Sequence, residues 1–238
     1  MTPLSRFSAA ATVILSVAFG ADAADPEATR RAHALFARHW EESARLYPIF
    51  ATFRGDHRYN DRHNDRSAEG IAREERYWRT LLADLQALKS ADLSKQDRLS
   101  LQLLETAAAQ AVERFRHAGL MTYTVHASAF PFHGYFAAVM QSMPMDTVAR
   151  AEQMLARMAA YPRHVDDEIV HLRRGMELGW VPSKPLLMRA MQQIDAQLQA
   201  PPEKSAYAGP WHRLGKDIPA ETRDALRRRG IEAIARDV

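Results

Sequence analysis

The sequence contains no cysteine in its 238 residues. A disulfide framework and a thiol nucleophile are therefore both excluded, and stability must come from a packed apolar core. The chain also lacks a run of about 20 apolar residues, the length that a helix needs to cross a bilayer. Charge of one sign is never concentrated, since the longest basic run, Arg227 to Arg229, lies among acidic residues and the formal net charge is only +3. We therefore expect no nucleic-acid partner, because a nucleic-acid-binding face would be uniformly basic.

No segment alternates apolar and polar residues as a half-buried strand does, whereas apolar residues recur at helical spacing along most of the chain. The sequence therefore predicts an all-α fold. Helices are predicted to start at Asp25-Pro26, Ser67, Ser94, Asp146, Ser183 and Pro219. Two of them are predicted to end at Gly119 and Gly179. Pro162 is predicted to kink or break a helix. An irregular segment is predicted around residues 120–145, with one helical turn near 135–141. Its aromatic stretch from His126 to Met145 either lines a groove or fills the core.

The first 23 residues have the pattern of a secretory signal peptide. Arg6 supplies the positive charge, Ala9 to Phe19 is a short apolar run, and Ala21-Asp22-Ala23 is a small-x-small cleavage site. We therefore divide the chain into a signal peptide, 1–23, and a single helical domain, 24–238. The expected location is periplasmic or secreted, with no membrane attachment after cleavage.

The most informative stretch is Tyr47 to Ser67, YPIFATFRGDHRYNDRHNDRS. It joins two predicted helices, although a helix–helix connection usually has about two to eight residues. Five of its residues are candidates for a cleft loop: Gly55, Asp56, His57, Tyr59 and Asp61. The alternative is a structured loop that fixes the angle between the helices, because Asp and Asn also stabilise turns. The spacing of its carboxylates and imidazoles fits no zinc signature.

A second group of candidates is His164, Glu168 and His171, which helical spacing places on one face. Glu168-x-x-His171 matches one element of a di-iron helical bundle, but such sites need two of these elements and two further glutamates. The alternative is a solvated helix face. No His-Glu-x-x-His, Gly-x-Ser-x-Gly or phosphate-loop motif occurs. The sequence therefore assigns no catalytic residue and no cofactor to this chain.

Several soft motifs, in a fixed order, resemble the N-terminal half of the family known as domain of unknown function 885. The resemblance begins at Phe36 and covers nearly the whole mature chain. The matching stretches are Pro48, Ala51-Thr52, Gly55 to Tyr59, Asp61, Asp97 to Leu99, Leu103-Leu104, Met143-Pro144, Leu155 to Arg157, Tyr161-Pro162, Leu172 to Gly175, and Gly179 to Pro182.

The resemblance implies a large, exported, helical relative of zinc metallopeptidases. Zinc would lie on a His-Glu-containing helix of the C-terminal half, and the N-terminal half would be a multi-helix array forming one half of a cleft. This chain has no counterpart of that helix, and it stops at Asp237-Val238 within a helical pattern. We therefore expect a truncated fragment without its own catalytic motif. Its expected partner is a peptide or the missing C-terminal half.

Two other functions remain open. One is a non-catalytic periplasmic helical module that binds a peptide or a protein on the same scaffold. The other is a stand-alone metalloprotein that uses His164, Glu168 and His171.

Overall fold

The computed structural model describes residues 24–88, 91–117, 119, 122 and 132–238, so the predicted signal peptide lies outside the described residues. This part of the chain contains helices and no strand, which confirms the all-α prediction. The helices are α1 (Pro26–Leu46), α2 (Pro48–Phe53), α3 (Ala68–Ala87), α4 (Lys95–Arg114), α5 (Phe132–Ser142), α6 (Val148–Ala159), α7 (Tyr161–Leu178), α8 (Lys184–Gln199) and α9 (Ala220–Asp237). Two short 3₁₀ helices, Pro202–Lys204 and Gly209–His212, precede α9.

Helix caps account for most of these boundaries. The side chains of Asp25, Ser67 and Ser94 each accept a hydrogen bond from a backbone N–H of the first turn that follows, as predicted. Gly179 ends α7 in the left-handed conformation, with φ of 73°. The predicted break at Pro162 is also confirmed, because α6 ends at Ala159 and Pro162 lies in the first turn of α7.

Two predicted boundaries were wrong. The helix α4 ends at Arg114 and is capped at Phe115, so Gly119 lies beyond it. The start of α6 is capped by Thr147, which has extended backbone and accepts from the N–H of Arg150. Asp146 instead binds the Arg150 guanidinium at 2.6 Å, an ion pair between residues four apart that competes with the capping role.

The predicted irregular segment contains a helix of 11 residues, α5. Phe136, Val139, Met140 and Met143 recur at helical spacing and are all buried, and this packing stabilises the helix despite Gly134. Residues 123–131 lie outside the described part of the chain. In the described part, the aromatic and Met-rich stretch mainly fills the core.

The buried side chains form two separate hydrophobic clusters. One lies among α1, α3 and α4 and is centred on Trp78, Leu81 and Leu85. The other lies among α5, α6, the second 3₁₀ helix and α9, and it encloses Trp211, which has no exposed surface. The short helix α2 packs against both α1 and α5. Residues 54–67, here called the connecting segment, follow α2 and lead to α3.

Within the described ranges, every helix is too short or too polar to cross a bilayer.

Candidate functional site

A groove of about 660 Å³ is lined by residues of α1 to α5 and of the connecting segment. Its lining is rich in aromatic side chains and contains two arginines. The lining residues are His39, Ser43, Tyr47, Ile49, Phe50, Arg54, Asn64, Trp78, Ala107, Gln110, Ala111, Arg114 and Tyr135. This volume lies within the usual range for pockets that bind small ligands. We call it the aromatic groove.

One side of the aromatic groove is fixed by a chain of hydrogen bonds. The indole N–H of Trp78 donates to the Tyr47 hydroxyl at 2.7 Å, and that hydroxyl donates to Glu74 at 2.6 Å. Arg114 binds the same Glu74 oxygen at 3.0 Å. Burial and the adjacent Glu74 raise the pKa of Tyr47, so the phenol remains protonated as a donor. These side chains are therefore preorganised.

Arg54 lies at the mouth of the aromatic groove. Its guanidinium carbon is 4.1 Å from the ring centroid of Phe50 and 5.6 Å from that of Trp40, and both distances fit cation–π contacts. The two rings are about half exposed, at 51% for Phe50 and 48% for Trp40. Among the described residues, no carboxylate lies within ion-pair distance of Arg54. An exposed cation on two aromatic faces is thus available to an anionic ligand.

A second, open depression of about 640 Å³ shares Arg54 with the aromatic groove. Three predicted cleft-loop residues line it: Gly55, Asp56 and His57. Gly55 has φ of 83°, a left-handed backbone conformation that glycine adopts readily because it has no Cβ. Arg58 binds Asp56 at 2.7 Å and Glu41 at 2.8 Å, and these bonds lower the pKa of both carboxyls.

Tyr59 and Asp61, the other two candidates, do not line either hollow. Arg58 and Arg62 stack over the Tyr59 ring, and Asp61 binds the Arg62 guanidinium at 2.7 Å. Tyr59 contributes through its backbone instead, since its carbonyl accepts from Arg157 at 2.8 Å. These two residues shape the connecting segment.

Arg157 of α6 is the central anchor of the connecting segment. Its side chain is fully buried, and besides the Tyr59 carbonyl it donates to the Thr52 hydroxyl at 3.0 Å. Thr52 in turn donates to the side-chain oxygen of buried Asn60 at 2.7 Å. Burial lowers the pKa of Arg157 to about 10, so the guanidinium is charged at neutral pH. A buried charge is costly, and the backbone and hydroxyl acceptors of the two terminal nitrogens offset part of that cost, while the buried Nε has no acceptor.

A pair of stacked imidazoles forms the second anchor. The rings of His63 and His164 lie 4.8 Å apart and nearly parallel, and His63 Nε2 donates to the Arg157 carbonyl at 3.0 Å. Burial, then the proximity of His164 and Arg157, lowers the pKa of His63 to about 3. Burial also lowers the pKa of His164. Both rings are therefore neutral packing groups at neutral pH.

The Glu-x-x-His element of α7 holds the end of the connecting segment. Glu168 accepts from the Arg66 side chain at 2.7 Å, and His171 Nε2 donates to the Arg66 carbonyl at 2.7 Å. Across residues 24–88, 91–117, 119, 122 and 132–238, no three His, Asp or Glu side chains are grouped to hold a metal ion. Because His171 and one oxygen of Glu168 hold Arg66 and His164 stacks on His63, these three side chains do not form a zinc site in the described structure.

Sequence reasoning missed the residues that give this site its character. Arg54, Phe50 and Trp40 were not among the candidates, although the Phe-x-x-x-Arg spacing of Phe50 and Arg54 places them one helical turn apart. Arg157 was quoted only as part of a family motif. Its role depends on a contact across 98 residues of chain, for which local spacing holds no signal.

A family model matches residues 48–238 of the chain, from the first residue of α2 onward. The family is described as bacterial protein of unknown function (DUF885). The chain belongs to this family. The DUF885 match includes Arg54, the connecting segment and both of its anchors, whereas α1 with Trp40 precedes it. No curated protein matches the chain.

Proposed function

We propose that this DUF885 protein is exported and forms one wall of a peptide-binding cleft in a zinc-dependent peptidase or hydrolase. In this proposal its residues bind substrate and supply no reacting group. The observation that carries the proposal is Arg54, an exposed guanidinium without a carboxylate partner in the described structure, stacked on Phe50 and Trp40 at the mouth of the aromatic groove.

The chemistry of this arrangement favours a peptide with a carboxylate. A guanidinium can bind a carboxylate through two parallel hydrogen bonds in its plane while its faces remain stacked on aromatic rings. Beyond Arg54, the groove offers aromatic surface for apolar side chains, together with the hydroxyl and amide groups of Ser43, Asn64 and Gln110. A short peptide with a free C-terminus and apolar side chains satisfies both features.

In such a peptidase or hydrolase, bound zinc would activate a water molecule for hydrolysis. The described residues do not fit that ion, so we assign this chain the positioning of substrate alone. Export is supported by the signal-peptide pattern of residues 1–23. We propose a periplasmic or secreted location on that basis.

The second candidate is a non-catalytic module that binds a peptide or protein on the same groove. It is favoured by the observation that Glu168 and His171 of α7, whose side chains could ligate a metal, bind Arg66 instead. Both candidate functions predict that a peptide binds at Arg54. Only the first predicts that the bound peptide is hydrolysed, by the zinc-dependent enzyme of which this chain would form one wall.

The test is a titration of the purified protein with the tetrapeptide Phe-Ala-Leu-Phe, as the free acid and as the C-terminal amide, followed by calorimetry. We expect the peptide acid to bind more tightly than the amide. Arg54→Gln should weaken binding of the acid by roughly tenfold or more, the size expected for loss of a charged hydrogen bond. Arg79→Gln is the matched control, because Arg79 is an exposed arginine of α3 paired only with Glu75. Equal binding of acid and amide, or equal binding to the Arg54 and Arg79 variants, would refute the proposed role.

A further inference from the structure

A separate cavity of about 490 Å³ lies among α7, α8, the following linker and α9. It is on another part of the molecule from the aromatic groove and shares no lining residue with it. Its wall is mostly apolar, with Val165, Ile169 and Leu172 from α7 and Ile194 and Leu198 from α8. An apolar pocket of this size with a few polar groups is the usual form of a small-molecule site.

One buried carboxylate lies in the wall of this cavity. Glu168 is only 4% exposed, and its Oε1 accepts from Arg66. Its Oε2 is enclosed and accepts no hydrogen bond. A buried carboxylate oxygen without a donor carries a cost in free energy, and a ligand that brings a donor would remove that cost. The carboxylate thus has one oxygen bonded to Arg66 and one buried oxygen without a donor, in a residue that lines the cavity.

The rest of the lining favours a positive charge. No lysine, arginine or histidine lines the cavity among the described residues. Gln197 and Leu198 of the last turn of α8 line the cavity, as does the C-cap residue Ala200, so the carbonyl end of that helix lies beside the cavity. The carbonyl end of a helix carries partial negative charge and favours cations. Apolar walls, a carboxylate and a helix C-terminus together select a hydrophobic cation.

We propose that this cavity binds a small organic amine, an aryl- or alkylammonium whose apolar body lies between α7 and α8 and whose ammonium donates to Glu168 Oε2. Glu168 keeps its bond to Arg66 through Oε1 and presents Oε2 to the cavity that it lines. This site is independent of the peptide-binding function proposed above.

The probes are 4-phenylbutylamine, 4-phenylbutanol and 4-phenylbutanoate, which share one apolar body and differ in the head group. Calorimetry at pH 7 on the full chain should show the amine binding at least roughly tenfold more tightly than the alcohol, because a charged hydrogen bond replaces a neutral one. The third probe, 4-phenylbutanoate, should not bind, because its negative charge would face the Glu168 carboxylate. Glu168→Gln should remove the preference for the amine over the alcohol.

Because Glu168 also binds Arg66, a second variant tests the cavity without touching the ion pair. Leu198→Trp fills the mouth at a residue that is 76% exposed, and it should abolish binding of the amine. Met191→Trp is the matched control on the same helix, since Met191 is 62% exposed and lies outside the cavity lining. Equal binding of all three probes, no binding of the amine, or binding unchanged in Leu198→Trp would overturn the proposal.

Discussion

At the scale of single residues, the connecting segment depends on a small buried polar network. Arg157, Thr52 and Asn60 are each almost fully enclosed, and each supplies a partner that another needs. In such a network the loss of one member leaves the others without partners. The cost of a substitution here should therefore exceed the value of the single bond removed.

Thr52→Val tests this network, because valine keeps the shape of threonine and removes the hydroxyl. We expect the free energy of unfolding to fall by about 1–3 kcal/mol, since Arg157 and Asn60 each lose a buried partner. The measurement is urea unfolding followed by circular dichroism. Thr106→Val is the control: the Thr106 hydroxyl is exposed on α4 and bonds only the carbonyl of Gln102, so the change should be within about 0.5 kcal/mol. Equal effects of the two variants would contradict the network.

Gly55→Val tests backbone strain at the depression beside Arg54. No atom lies within 4 Å of an added Cβ, so the cost comes from the φ of 83° alone. A β-branched residue in this region costs about 1–3 kcal/mol, and we expect a fall of that size in unfolding free energy. Asparagine tolerates the left-handed region, so Gly55→Asn should cost less. An unchanged melting temperature for Gly55→Val would refute this.

At the scale of helices and segments, α7 has two roles that differ along its length. Near its start, His164 packs against His63, and further along Glu168 and His171 hold Arg66. The helix therefore positions the connecting segment at two places. In contrast, α8 contributes one fully buried residue, Ala190, and exposes Met188, Met191 and Leu198.

The contact between His63 and α7 should make stability depend on pH. The pKa of His63 is about 3 in the folded protein and near 6.5 in the unfolded chain. As pH falls below 6.5, the unfolded state takes up a proton that the folded state does not, so stability decreases with acidity by about 1.4 kcal/mol per pH unit for each such proton. We expect His63→Phe to reduce the slope of unfolding free energy against pH between pH 6 and 4 by about 1.4 kcal/mol per pH unit, the contribution of one proton. Urea unfolding at several pH values measures this slope.

Replacement of the exposed His212 by Gln is the control for this experiment, and the slope should then remain that of the wild type. A slope that is unchanged by His63→Phe would show that the stacked pair does not titrate on unfolding.

The loose attachment of α8 predicts its dynamics. Amide hydrogen exchange should be faster in α8 than in α4, which buries Leu101, Ala108, Ala111 and Val112, because local opening costs less where few apolar groups are buried. Exchange mass spectrometry measures this directly. Similar protection in the two helices would contradict it.

Helices were easier to predict than the site. Capping residues such as Ser67 and Ser94 act on neighbours three residues away, so their signal is local and the structure agrees. The helix α5 was missed because its stability comes from burial of Phe136 and Met140 against distant elements, which overrides weak local preference. The same holds for the site, since Arg157 and Tyr59 meet only after folding.

At the scale of the whole molecule, two hydrophobic clusters are joined by α2 and the connecting segment, and the aromatic groove lies between them. Its walls belong to both clusters, because Trp78 is part of one and Ile49 part of the other. Groove shape is therefore a property of the complete fold rather than of one helix pair.

For the isolated chain we expect peptide binding without hydrolysis. A metal-assisted hydrolase needs about three protein ligands and an activated water, and the described residues hold no such group. The measurement is turnover of a fluorogenic peptide library with and without added zinc. Zinc-dependent turnover that a chelator abolishes would contradict this expectation and favour the stand-alone metalloprotein.

The contacts that hold Tyr59 and Arg66 of the connecting segment come from opposite sides of the break at Ala160. Arg157 of α6 fixes Tyr59, while Glu168 and His171 of α7 fix Arg66. The six residues 60–65 thus link two points held by different helices, α6 and α7. A change in the angle between α6 and α7 would therefore strain the chain between Tyr59 and Arg66, so this joint and the connecting segment should move as one unit.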